Sequence, residues 1–206
     1  MSLRDEILEQ HTVLQHLLET QMENIQRTAA AIRARSVEFV LLAARGTSDH
    51  AGTYAQYLWG ANNQLAVALA APSLFSFYGS SPRLKNALVV GISQSGQSPD
   101  VVSVIAEAQR QGALTLTLTN NPQSPLAQAA THTLDLSAGL EKAVAATKTY
   151  TTELLMLAAL SAALKGDAEQ LAALRQVPAA VHQALALEPQ IEALANQHAT
   201  MTQCVV

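Results

Sequence analysis

Four hydrogen-bonding side chains, Ser93, Gln94, Ser95 and Ser98, crowd one short stretch, "VVGISQSGQSPDVV", between Val89 and Val102. They fall where an apolar run ends and a helical pattern begins. A helix N-cap needs only one hydroxyl, so most of this capacity is free for a ligand. At a helix start, backbone N–H groups and the helix dipole both favour an anion. A phosphate suits such a place, because neutral donors in fixed geometry can coordinate its oxygens without Arg or Lys. Gly91 and Gly96 are expected to let the backbone approach that ligand closely.

Two further polar loops leave predicted strands, Gly46-Thr47-Ser48 and the segment from Gly139 to Lys148. Thr47 and Ser48 fit either of two roles, helix caps or hydroxyls offered to a polyhydroxylated ligand. A sugar phosphate would use both loops together. Other chemistries find less support. There is no G-x-x-x-x-G-K-[ST] stretch, and Gly46 to Gly52 does not match G-x-G-x-x-G, so neither a P-loop nor a dinucleotide fingerprint is present. The six histidines are dispersed and there are no Cys pairs, which leaves a metal site without a ligand set. "GQSPD" is not the G-x-S-x-G elbow, so Ser95 and Ser98 have no case as nucleophiles. His50 follows the first loop but reads as a polar helix residue.

Periodicity predicts the helices and strands that flank these loops. Ile7, Leu14, Leu17, Leu18, Met22 and Ile25 recur three or four apart and predict a long amphipathic helix over 4–34. Val37 to Ala43 reads as a buried strand, and the helix after it stops near Gly60. "QLAVALAA" is a second strand broken by Pro72, and the connection after it carries at most a short helix. "ALVVGIS" is a third strand, and Pro99-Asp100 opens a helix that runs to about Gln111, with Gly112 as its stop. "ALTLTLTN" is a strand with its Thr side less buried, "THTLDLSA" a fifth, and "TKTYTTELLMLAALSAALKG" a long helix ending at Gly166. Strands alternating with helices predict an α/β fold with a parallel sheet. Residues 167–200 read as helical, interrupted by Pro178 and Pro189, and "TMTQCVV" looks like the opening of another strand.

Composition sets the outer limits. The 206 residues are 49% hydrophobic and only 14% charged, against roughly 25% charged in a typical soluble domain. Such Ala-rich, low-charge helices predict a homodimer or pairing with a second similar domain. A net charge of -4 argues against nucleic acid, which needs a basic patch. No apolar run approaches a membrane span, and the N-terminus does not look like a secretory signal. Cys204 is alone, so no internal disulfide is expected and a reducing cytoplasm is the default.

At its loops the sequence resembles the sugar isomerase (SIS) domain family, and within it the isomerase half of glucosamine-6-phosphate synthase and related amino-sugar-phosphate deaminases and isomerases. The matching segments are "DEILEQ" as the leader, "RGTSDHAG" as the first loop, "ISQSGQSPD" as the phosphate loop and "GLEKAVAATKTYTTEL" as the third motif. In order and spacing they cover nearly the whole chain. "QSPD" in place of an "ETADT"-like continuation leans toward the deaminase-like relatives.

The resemblance implies a five-stranded parallel αβα sandwich with flavodoxin-like layering. It implies a helical leader over 1–35, a SIS domain over 36–166, and a helical connector leading into a second SIS domain over 167–206. It also implies that Ser93, Gln94, Ser95 and Ser98 hold the sugar phosphate, that Thr47 and Ser48 lie nearby, and that Val144 and Ala146 contribute from the third motif. Ala146 stands where the synthase usually has Ser, which removes one hydroxyl contact. The family's proton-transferring Glu, ring-opening His and terminal Lys belong to the second SIS domain or tail. No catalytic residue, cofactor or metal is therefore expected in this chain. Glu141 and Lys148 read as structural, although Glu141 could be proposed as a base. The expected function is sugar-phosphate binding within an aldose-ketose isomerase or deaminase acting on hexose or amino-sugar phosphates, or alternatively in a non-catalytic sensor.

Overall fold

The computed structural model describes residues 2–203. Helix α1, Leu3–Arg33, begins with a capping box: the Ser2 hydroxyl accepts from the Asp5 amide, and the Asp5 carboxylate accepts from the Ser2 amide at 2.7 Å. Its apolar stripe, Leu14, Leu17, Leu18, Ile25, Ala29 and Ile32, is buried, mainly against the last helix of the sandwich, α6 (Lys148–Lys165).

Five strands follow, β1 (Phe39–Ala43), β2 (Ala66–Leu69), β3 (Ala87–Ile92), β4 (Leu114–Thr119) and β5 (His132–Asp135). They form one all-parallel sheet in the order β2-β1-β3-β4-β5. The helices between them are α2 (Thr47–Asn63), α3 (Ser73–Ser76), α4 (Pro99–Arg110) and α5 (Pro125–Ala129). Side chains alternate across the sheet. Val40, Leu42, Leu88, Val90 and Ile92 pack with α1, α2 and α6 on one face, whereas Leu41, Ala43 and Val89 pack with Val104, Ile105 and Leu126 of α4 and α5 on the other. The result is the three-layer α/β sandwich expected from the sequence. Trp59 of α2 is fully buried, and its indole N–H donates to the Leu157 carbonyl of α6 at 3.2 Å.

Several local expectations change. Helix α2 passes through Gly60 and ends at Asn63, with Gln64 as its C-cap in the left-handed conformation at φ 58°. Strand β4 is buried at all six positions, threonines included. It lies between two strands, and its hydroxyls are paired: Thr115 donates to Gln109 Oε1 at 2.9 Å, and Thr117 meets Thr133 at 3.2 Å. Helix α5 was not anticipated, although Ser124-Pro125 is an N-cap followed by Pro in the first turn. Pro178 and Pro189 sit in the first turns of α8 (Val177–Leu185) and α9 (Glu188–Gln197), after α7 (Ala168–Leu174). The breaks therefore fall just before the prolines. Residues 201–203 form no strand, and Cys204 to Val206, the rest of the expected strand opening, lie outside the described residues. Among the described residues no helix is long and apolar enough to cross a membrane.

Candidate functional site

Strand β1 leads to β2 on one side and β3 lies on its other side, so the carboxyl ends of β1 and β3 diverge and leave a crevice. A cavity of about 310 Å³ occupies this place. Thr47, Ser48, Ser93, Gln94, Ser95, Ser98, Val144 and Ala146 all line it, together with Arg45, Gly46, Ile92, Thr149 and Glu153. The three loops nominated from sequence thus converge on one concavity.

Of the two roles left open for the first-loop hydroxyls, helix capping is removed. Gly46, at φ 59°, occupies the N-cap position of α2, and neither Thr47 nor Ser48 caps the helix. Thr47 is exposed at the cavity wall. Ser48 is buried and donates to Glu153 Oε1 at 2.8 Å. His50 is exposed and does not line the cavity.

The second loop folds on itself. Ser93 Oγ accepts from the Gly96 amide at 3.2 Å and lies 3.4 Å from Ser98 Oγ, while Ser95 Oγ accepts from the Gln97 amide at 3.2 Å. Ser98 holds the N-cap position of α4 without a side-chain cap bond, so its hydroxyl is not used by the helix. The two glycines act differently from expectation. A Cβ on Gly96 (φ 63°) would stand 2.1 Å from Ser124 Oγ, and one on Gly91 would stand 2.9 Å from Ile105. Both admit close approach of the protein's own elements rather than of a ligand.

The third loop is built around Glu141. Its Oε1 accepts from the Thr147 amide at 2.9 Å and the Thr147 hydroxyl at 3.0 Å, and its Oε2 from the Thr149 hydroxyl and from Gln94 Nε2 at 3.3 Å. This is a carboxylate holding a helix start and tying two loops together. Lys148 is buried and donates to Glu9 of α1 at 2.6 Å. The leader helix also supplies Glu6, fully buried, which accepts from the amides of Lys142 and Ala143. Val144 projects fully exposed.

Two wall residues were missed. Arg45 Nη1 donates to Asp100 of α4 at 2.6 Å and spans the first two loops. The signal was its place directly before Gly46-Thr47-Ser48. Glu153 is 1% exposed, and among the described residues its Oε2 is the buried side-chain polar atom with no hydrogen-bond partner. Burial pushes its carboxyl up to about 7; the Ser48 hydrogen bond opposes this and the Glu141 charge adds to it. Its signal was being the lone charged residue in 149–164. Among the described residues no group of His, Cys, Asp and Glu is placed to hold a metal.

The SIS domain family matches residues 35–163. The glutamine–fructose-6-phosphate aminotransferase (isomerizing) of Bordetella parapertussis is 37% identical over 176 residues, covering 81% of this chain and 29% of the relative. That of Halobacterium salinarum is 35% identical over 175 residues, covering 80% and 29%. This chain therefore spans less than a third of the length of these curated relatives. A solved Silicibacter pomeroyi protein classed as a phosphosugar isomerase is 41% identical with a TM-score of 0.85, over 88% of this chain and 55% of that one. The C-terminal domain of glucosamine-fructose-6-phosphate aminotransferase from Francisella tularensis, at 22% identity and a TM-score of 0.78, shares the fold over 94% of this chain and 58% of its own. With its parallel sheet, its three converging loops and these matches, the chain belongs to the SIS domain family.

Proposed function

We propose that the cavity binds a hexose or amino-sugar phosphate, with the phosphate on Ser93, Gln94, Ser95 and Ser98 and the sugar hydroxyls toward Thr47, Ser48, Val144 and Ala146. The observation that carries this reading is the convergence of all eight residues, from three loops far apart in sequence, on one concavity at the end of the sheet. A helix of twelve residues, α4, starts there and adds its dipole to the hydroxyls. Arg45 contributes a cation, moderated by Asp100. The volume lies at the lower end of the roughly 300–1,000 Å³ of ligand clefts.

In this reading the chain is the phosphate-holding SIS domain of an aldose-ketose isomerase or deaminase, set in a reducing cytoplasm. Residues 36–166 form that domain, framed by the leader over 1–35 and the connector over 167–206. The base that moves a proton between C1 and C2 is supplied by a second SIS domain or a second copy. The name of the Bordetella relative, which includes fructose-6-phosphate, supports the ligand class. The commitment of Glu141 to five hydrogen-bond contacts with its own loop, α6 and Gln94 supports placing the base elsewhere. The test is calorimetric titration with fructose 6-phosphate and glucosamine 6-phosphate. Micromolar to millimolar binding that Ser95→Leu abolishes is expected, and unchanged affinity in that variant would remove the assignment.

A further inference from the structure

Ser48 and Glu153 form a hydrogen-bonded pair inside the cavity wall, and the pair can be wired in two ways. A serine hydroxyl has one hydrogen to donate and two lone pairs to accept with. With Glu153 ionised, the Ser48 hydrogen is committed to Oε1 at 2.8 Å, and only lone pairs face the cavity, which repel an anionic ligand. With Glu153 protonated, the acid donates to Ser48 Oγ and the Ser48 hydrogen turns outward. We propose that Glu153 is a positioning residue of this kind: it takes up a proton as an anionic sugar phosphate enters, donates it to Ser48, and so frees the Ser48 hydrogen for a ligand oxygen.

Three observations carry this. Both residues line the cavity. Glu153 is almost completely buried, in the interior of a helix whose other residues from 149 to 164 are uncharged. Its Oε2 meets no donor among the described residues, a deficit that costs a carboxylate far more than a neutral acid. The raised proton affinity of this carboxyl, about 7 at its midpoint, agrees with the geometry.

The charged groups around the pair are accounted for. Glu141 on the loop before α6 adds negative charge and stays bonded to Thr147 and Thr149. Lys148 on the same helix is held by Glu9 of α1, and Glu6 of α1 by the third-loop amides. Arg45 on the cavity wall is held by Asp100 of α4. Asp49 and His50, which follow Ser48 on α2, are exposed.

The inference rests on the sugar-phosphate reading, and one experiment separates the two. Fructose 6-phosphate binding is measured by calorimetry between pH 7.5 and 8.5, where a phosphate monoester with a second pKa near 6 stays a dianion. The wild type should lose about tenfold in affinity over that unit, because a proton must be taken up against a falling proton activity. Glu153→Gln, whose amide donates to Ser48 permanently, should bind with a flat profile and about thirtyfold more tightly than wild type at pH 8.5. Parallel profiles, or a variant no tighter at pH 8.5, would overturn this inference and leave the binding site standing. Failure of both proteins to bind at any pH would overturn the reading beneath it as well. Should the variant not fold, wild-type binding heats at pH 8 in buffers of different ionisation enthalpy decide: about one proton taken up per ligand is expected, and none overturns the inference.

Discussion

Glu6, in the first turn of the leader helix, accepts a hydrogen bond from the Ala143 amide at 3.1 Å, with the Lys142 amide beside it. A fully buried carboxylate thus folds down the loop that carries Val144 and Ala146. The leader is a structural part of the cavity, because the third loop has no strand or helix of its own from residue 136 to residue 147.

Glu6→Ala should therefore act on both stability and binding. Hydrogen bonds to a charged group contribute about 1.5–3 kcal/mol, and their removal strands two amides. A loss of about 2–3 kcal/mol in urea unfolding is expected, with weaker fructose 6-phosphate binding from the loosened loop. Wild-type stability and affinity would show that the leader does not position the site.

Ser98→Ala should separate binding from folding. Since the Ser98 side chain caps nothing, the unfolding free energy should stay within about 0.5 kcal/mol of wild type. The affinity for fructose 6-phosphate should fall about tenfold or more, as expected for one donor lost to a charged ligand. Equal affinity would place the phosphate elsewhere.

Gly96→Ala should fail for reasons internal to the protein. Its φ of 63° disfavours any side chain, and the new Cβ would collide with Ser124 Oγ, which caps α5 by accepting from the Ala127 amide. A destabilisation of about 3 kcal/mol is expected from strain and overpacking together, read from the chemical midpoint. Near-wild-type stability would contradict the packing role assigned to this glycine.

Glu153 should leave a mark on stability as a function of pH. Its folded midpoint, about 7, lies above the unfolded value near 4.3. The native state therefore binds more protons than the unfolded state between these limits. The contribution of this group is fully present below pH 4 and is lost as pH rises toward 7, by about 3 kcal/mol in order of magnitude. Glu153→Gln should remove that slope, so its unfolding free energy relative to wild type should improve from pH 5 to about pH 7 and level off above it. A constant difference across this range would mean that Glu153 does not titrate there.

Much of this architecture was legible from residue order alone, for identifiable reasons. Strand ends followed by Gly, Ser and Thr mark the loops at the carboxyl edge of a parallel sheet, and the topology brings those edges together. Ser93, Ser95 and Ser98 could be nominated for that reason. What escaped depends on contacts between distant segments. Glu153 looks like one acid in a long apolar helix, and only the packing of α6 against α2 turns it toward Ser48. Arg45 gains its meaning from Asp100, across two loops. The threonines of β4 read as a half-exposed face until Gln109 and Thr133 are seen to satisfy them. Gly96 signalled a close approach correctly, but its neighbour is Ser124.

The most direct test of the central claim is a crystal structure with fructose 6-phosphate bound. Phosphate density is expected within hydrogen-bond distance of the Ser93, Ser95 and Ser98 hydroxyls, at the start of α4. Phosphate density at any other place on the molecule, with this loop empty, would contradict it.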